Sequence, residues 1–186
     1  MSEFDAKTLS EAPARLQAAV RDIPDFPKPG ILFRDLTPIL RDPHLLRLAN
    51  AAQLQLMSDL VGSVDVVVGI EARGFLFGPS LAQELDAGFV PARKPGKLPG
   101  ETLSQSYGLE YGRDELQIHS ADLRVGDRVV IVDDLLATGG TAAATCSLVE
   151  AAGAQVLACC FLIELGFLNG RTALGDRRVE ALIRYA

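Results

Sequence analysis

Residues 129–141 read Val-Val-Ile-Val-Asp-Asp-Leu-Leu-Ala-Thr-Gly-Gly-Thr. Val129 to Val132 are four β-branched apolar residues in a row, the pattern of a strand buried on both faces of a sheet. Asp133 and Asp134 follow at its carboxyl end, where open α/β sheets receive ligands. Thr138-Gly139-Gly140-Thr141 then leads into an Ala-rich stretch that predicts a helix over 141–152, with Gly153 at its C′ position. Glycines let the backbone approach a ligand closely, and the free amides of a helix N-terminus face an anion. The hydroxyls of Thr138 and Thr141 add donors. The segment predicts a phosphate cradle beside two carboxylates suited to a polyol or a metal. It is no Walker loop, because no Gly-Lys-Ser/Thr follows the glycines, and no dinucleotide fingerprint, because G-x-G-x-x-G is absent.

Outward from this segment, strand and helix alternate. A short apolar run predicts a strand over 64–68, then a loop at 70–74 and a helix over 77–85. A second strand is predicted over 88–93, and further strands over 155–163 and 179–184. This alternation predicts an α/β fold, an open, mainly parallel twisted sheet with helices on both faces. Upstream, Leu16, Ala19, Val20 and Ile23 stand at helical spacing and predict a helix over 14–23. Three prolines and a glycine between residues 24 and 30 end it. Asp42-Pro43 marks the start of another helix, an N-cap followed by proline. Residues 94–112 hold six glycines or prolines and read as one long functional loop, with a strand returning over 115–119.

The chain has 186 residues, 48% apolar and 23% charged, with 18 Lys and Arg against 24 Asp and Glu for a net charge of −6. This length suits a single domain, 1–186, that needs no staple to fold. The acidic balance argues against duplex nucleic acid or an anionic membrane as partner; a small anionic ligand is still allowed. Cys146, Cys159 and Cys160 give no disulfide framework and read as reduced packing residues. His44 and His119 carry no ligand pattern, and Arg177-Arg178 reads as a solvated turn. The longest apolar run, 156–163, is too short to span a bilayer, and the acidic N-terminus has no signal-peptide pattern. The expectation is a soluble cytoplasmic protein.

Residues 129–141 resemble the phosphoribosyl pyrophosphate motif of the type I phosphoribosyltransferases, in particular of the adenine-using branch. Residues 27–38, Pro-Lys-Pro-Gly-Ile-Leu-Phe-Arg-Asp-Leu-Thr-Pro, resemble that family's base-binding segment, and 69–79, Gly-Ile-Glu-Ala-Arg-Gly-Phe-Leu-Phe-Gly-Pro, its pyrophosphate loop. Residues 93–100 and 107–112 resemble its lid. Ala72 stands where a serine is common, and Pro95 and Gly108 depart from the lid pattern. The resemblance runs in order from about residue 23 to the C-terminus.

The resemblance implies a type I phosphoribosyltransferase fold with a small N-terminal hood at 24–40 and a flexible lid at 94–112. It implies transfer of a phosphoribosyl group from phosphoribosyl pyrophosphate to adenine, giving AMP and pyrophosphate in purine salvage, by a homodimer using Mg²⁺. Leu32, Phe33 and Arg34 would form the base pocket, with Leu135 on the other face of the base. Glu71, Ala72, Arg73 and Gly74 would meet the pyrophosphate, with Lys94, Lys97 and Tyr111 closing over it. Glu110 would be the general acid/base. Asp133 and Asp134 would hold the ribose hydroxyls, directly or through Mg²⁺ and its waters, and no side chain is expected to ligate the metal directly. Ala137, Thr138, Gly139, Gly140 and Thr141 would cradle the 5′-phosphate. Two other readings stand beside this one. The same fold could act on another purine or on a pyrimidine, which a panel of bases separates. A non-catalytic sensor of phosphoribosyl pyrophosphate should show a basic face or a DNA-binding module, and this chain has neither signal.

Overall fold

The computed structural model describes residues 4–109 and 112–186, with side chains outside 107–114. Helix α1 (Ala6–Ala19) starts at Asp5, whose carboxylate accepts the Thr8 N–H at 2.7 Å, and it buries Ala12 and Leu16. It therefore begins eight residues before the expected start and carries Pro13 in its interior, which hides it from a reading that treats proline as a breaker. It also ends sooner, because β1 (Arg21–Pro24) pairs antiparallel with β2 (Leu32–Asp35). A short α2 (Thr37–Arg41) precedes α3 (Pro43–Leu56). The α3 cap is as the sequence predicts: Asp42 accepts the N–H groups of His44 and Leu45 at 2.8 and 3.0 Å.

Then come β3 (Val66–Ile70), a 3₁₀ turn over Arg73–Leu76, α4 (Gly78–Leu85) and β4 (Gly88–Ala92). Next is an antiparallel hairpin of β5 (Thr102–Leu109) and β6 (Gly112–His119). The rest is β7 (Arg128–Leu136), α5 (Gly140–Ala151), β8 (Gln155–Leu165), α6 (Arg171–Leu174) and β9 (Val179–Tyr185). Within the expected long loop over 94–112, residues 102–109 form β5 and Gly112 begins β6. The loop's Gly and Ser content conceals strand tendency, and the pairing partner supplies what propensity lacks. Leu103, Leu116 and Ile118 pack from the hairpin onto the core.

Five strands form one parallel sheet in the order β4-β3-β7-β8-β9. From β3 the chain first winds outward to β4, then crosses back to β7 and continues to β8 and β9. The reversal leaves a crevice between β3 and β7 at their carboxyl ends, the place where doubly wound sheets bind ligands. Burial alternates along β7. Val130 and Val132 face the core under α1, α3 and α4, while Val129 and Ile131 face the core under α5 and the hairpin. Strand β7 runs beyond Val132, so Asp133 and Asp134 lie within its ladder, with Asp133 opposite Phe161 of β8.

One surface expectation changes, that Arg177-Arg178 is a solvated turn. Arg177 makes a bidentate pair with Glu150 on α5, and Arg178 reaches Asp59 and the Leu56 carbonyl, so the pair ties the start of β9 to both helical layers. The three cysteines are buried. Among the described residues no helix is long and apolar enough to cross a membrane.

Candidate active site

Strand β7 delivers Ala137–Thr141 to the crevice, and α5 starts immediately behind them. The cap position is Gly139, with φ +82°, so the cap residue itself brings no side chain to the first-turn amides of α5. An L residue is strained at that φ. A Cβ there would also stand 2.2 Å from the Gly170 carbonyl oxygen, so the loop rests on backbone at its rear. Its front opens on a cavity of about 70 Å³ lined by Asp133 and residues 135–142. That is several times the ~10–15 Å³ that one water needs. The first-turn amides at a helix N-terminus and this opening make a receptor for a small anion.

Asp134 is 4% exposed and pairs with Arg73, Nε to Oδ2 at 3.0 Å. Its own N–H donates to Asp133 Oδ1 at 2.9 Å. Burial pushes both carboxyls above the ordinary aspartate range; Asp134's charge pushes Asp133 further up, while Arg73 pulls the other way. Two adjacent acids, one buried and one half-buried, beside one guanidinium are electrostatically unsettled, which marks sites that handle charge. Arg73 reaches them because the 3₁₀ turn after β3 lies on the end of β7. A Cβ at Gly74 would meet the Val132 carbonyl at 2.5 Å, so glycine is required for that close approach. The Glu71–Ala72 peptide just before the turn is cis.

Glu71 is engaged by the segment that follows β4. Its carboxylate accepts Arg93 Nε at 3.1 Å and the Lys94 N–H at 2.9 Å, anchoring the start of the 93–101 segment. Burial works against its ionisation, but the Lys94 amide and Arg93 together hold it below the usual glutamate range. Ala72 is exposed, and Lys94 and Lys97 lie at the surface in one turn closed by the Lys97 N–H on the Lys94 carbonyl. Glu110 and Tyr111 lie outside the described residues.

The base-binding segment divides by strand alternation. Phe33 turns inward, edge-on to Phe26 at 5.1 Å between ring centroids, with the Arg73 guanidinium 5.6 Å from its centroid. Leu32 is exposed, and Arg34 turns to Asp22 and stacks on Tyr185 at 3.9 Å. The side chains of Leu32 and Arg34 therefore stand on the opposite face from Phe33. A cavity of about 340 Å³ lies beside Phe33, its wall including Phe26, Leu36, Asp35, Thr37 and Arg73. Phe26, Asp35 and Thr37 were not singled out by the sequence. Phe26 sits in a proline-rich turn, and only the hairpin brings it to Phe33. Asp35 accepts the Thr37 hydroxyl and N–H at 2.5 and 2.9 Å and Arg21 Nε at 2.9 Å, which bring its carboxyl down to about 2. Leu135 is half-buried, at the edge of the smaller cavity. Arg73 thus lines the Phe33 cavity and pairs with Asp134, whose neighbour Asp133 lies on the wall of the anion receptor.

A crevice at the switch point with this charge arrangement suits a sugar phosphate, and residues 35–177 match the family model described as a phosphoribosyl transferase domain. The chain is 59% identical over 172 residues to the adenine phosphoribosyltransferase of Methylococcus capsulatus, an alignment covering 92% of this chain and 99% of that one. Among solved structures, the adenine phosphoribosyltransferase of Rhodothermus marinus is 50% identical with a TM-score of 0.87, covering 97% of this chain and 100% of that one. That of Saccharomyces cerevisiae, complexed with an imino-altritol bisphosphate and adenine, is 45% identical with a TM-score of 0.87, covering 93% and 99%. The chain belongs to the adenine phosphoribosyltransferase family.

Proposed function

We propose that the residues gathered at the β3–β7 crevice carry the family's reaction in the following way. The chain transfers the 5-phosphoribosyl group from phosphoribosyl pyrophosphate to adenine, giving AMP and pyrophosphate. Displacement at an anomeric carbon passes through an oxocarbenium-like state, as in glycoside hydrolysis. The protein must hold the sugar phosphate, favour the departing pyrophosphate and manage a proton on the base.

The amides and hydroxyls of Ala137–Thr141 hold the 5′-phosphate. Asp133 and Asp134 take the ribose hydroxyls. Arg73 presents its remaining guanidinium N–H groups to the pyrophosphate, where charge grows as the bond to the sugar breaks. Lys94, Lys97 and Tyr111 close over that end. Phe33 offers a ring face to adenine, with Leu135 opposite, and backbone groups of Leu32–Arg34 read its edge. Glu110 exchanges the proton at the base nitrogen. The carrying observation is the Arg73–Asp134 pair at 3.0 Å, which couples the base side to the phosphate side.

Mg²⁺ fits this site. Two adjacent carboxylates, one pushed toward protonation by the other, would be relieved by a cation, and they resemble the sparse carboxylate set that Mg²⁺ shares with substrate phosphates and water. Bound there, it would neutralise charge on the leaving group. The yeast relative's complex with a base and a bisphosphate supports a site that takes both together. The reading extends to a homodimer working in the cytoplasm. Arg73→Ala should lower the rate of AMP synthesis by ~10²–10³, the loss of one preorganised donor. A wild-type rate would remove Arg73 from the mechanism.

A further inference from the structure

The anion receptor has a support behind it. Gly170 and Gly139 meet backbone to backbone. A Cβ at Gly170 would stand 2.2 Å from the Ala137 carbonyl, and one at Gly139 equally close to the Gly170 carbonyl. Residue 170 is therefore a backstop for the cradle, and its placement depends on the neighbour that follows it. Arg171 opens α6 and makes a fork onto Glu164, with Nε to Oε1 at 2.9 Å and Nη2 to Oε2 at 2.8 Å, while its Nη1 donates to the Val179 carbonyl at 2.9 Å. Glu164 is 2% exposed and stands in register with Leu136, the residue before the cradle. Arg184 Nε lies 3.6 Å from the same carboxylate.

We propose that Glu164 and Arg171 are positioning residues for the 5′-phosphate. The pair locks α6 to the carboxyl end of β8 and the start of β9, and α6 in turn holds Gly170 against Ala137 and Gly139. The spacing of the cradle amides follows from that contact. The inference rests on assigning the phosphate to Ala137–Thr141.

The test measures ribose 5-phosphate affinity by calorimetry and the separate KM values for phosphoribosyl pyrophosphate and adenine. Arg171→Ala leaves a buried carboxylate short of its partner and can cost folding. Arg171→Lys keeps the charge and loses the fork, and serves as the second variant. In Arg171→Lys, ribose 5-phosphate affinity and the KM for phosphoribosyl pyrophosphate should each worsen about tenfold, with adenine KM held within about twofold. Arg171→Ala, if folded, should lose more, with lysine as the partial rescue. A lowered Tm with unchanged ribose 5-phosphate affinity overturns the inference, and so do equal rises in both KM values. Thr138→Ala is the control: weaker binding there with none in the Arg171 variants refutes the pair alone. Unchanged binding in Thr138→Ala refutes the cradle assignment, and the inference with it.

Discussion

Replacing Gly139 with alanine perturbs the cradle at its most constrained point. The backbone there has φ +82°, and a non-glycine residue in the left-handed region costs about 1–2 kcal/mol. The added Cβ would stand 2.2 Å from the Gly170 carbonyl oxygen and 3.0 Å from the Ala173 Cβ. Relieving that overlap moves the loop or α6 by about 1 Å, and overpacking of this kind costs about 1–3 kcal/mol. The combined loss of stability is about 2–5 kcal/mol. A misplacement of about 1 Å is enough to cost up to ~10² in function, so ribose 5-phosphate should bind roughly 10- to 100-fold more weakly. Gly126→Ala supplies the comparison, because Gly126 has φ +87° and nothing within 4 Å of an added Cβ. It should lose only the backbone part, about 1–2 kcal/mol, with phosphate binding intact. Urea unfolding gives the stability of each variant and titration calorimetry the affinity. If Gly139→Ala behaves like Gly126→Ala in both assays, the backbone contact with Gly170 does not set the cradle.

Other outcomes follow from the same geometry. Phe33→Ala should raise the KM for adenine by about 10- to 100-fold, the value of one base–aromatic stack, and leave the KM for phosphoribosyl pyrophosphate alone; equal effects on both would place the base elsewhere. Glu110→Ala should cut kcat by ~10²–10⁴, and a change in KM only would end its proton role. Asp35 and Asp65 have carboxyls lowered to about 2, by Thr37 with Arg21 and by Arg128 respectively. Since the folded state holds these protons more weakly than the unfolded state, their stabilisation is complete above the ordinary value of 3.8 and is lost as pH falls from there through about 2. Urea midpoints should drop across that window, and Asp35→Asn should flatten part of the drop.

Much of this was legible in the chain. The β-branched run at 129–132 marks a strand buried on both faces, and the acids and glycines after it mark the ligand end. The Asp42 cap and the α5 terminus at Gly153 are local chemistry and lie where local chemistry puts them. What depends on distant partners was hidden. Half of strand β5 is Ser, Gln and Gly, and its pairing with β6 holds it extended. Phe26 looks like part of a turn until the β1–β2 hairpin folds it onto Phe33. The contacts of Glu71 with Arg93 and the Lys94 amide, more than twenty residues away, are equally invisible in the chain. Arg171 gave no signal, because its fork onto Glu164, seven residues earlier, forms only when α6 folds back on the end of β8.

The most direct measurement is an assay with Mg²⁺, phosphoribosyl pyrophosphate and a panel of bases, reading both pyrophosphate release and the nucleotide formed. Adenine should drive pyrophosphate release with stoichiometric AMP. Release driven instead by hypoxanthine, guanine, xanthine or a pyrimidine, with no AMP from adenine, would contradict the account.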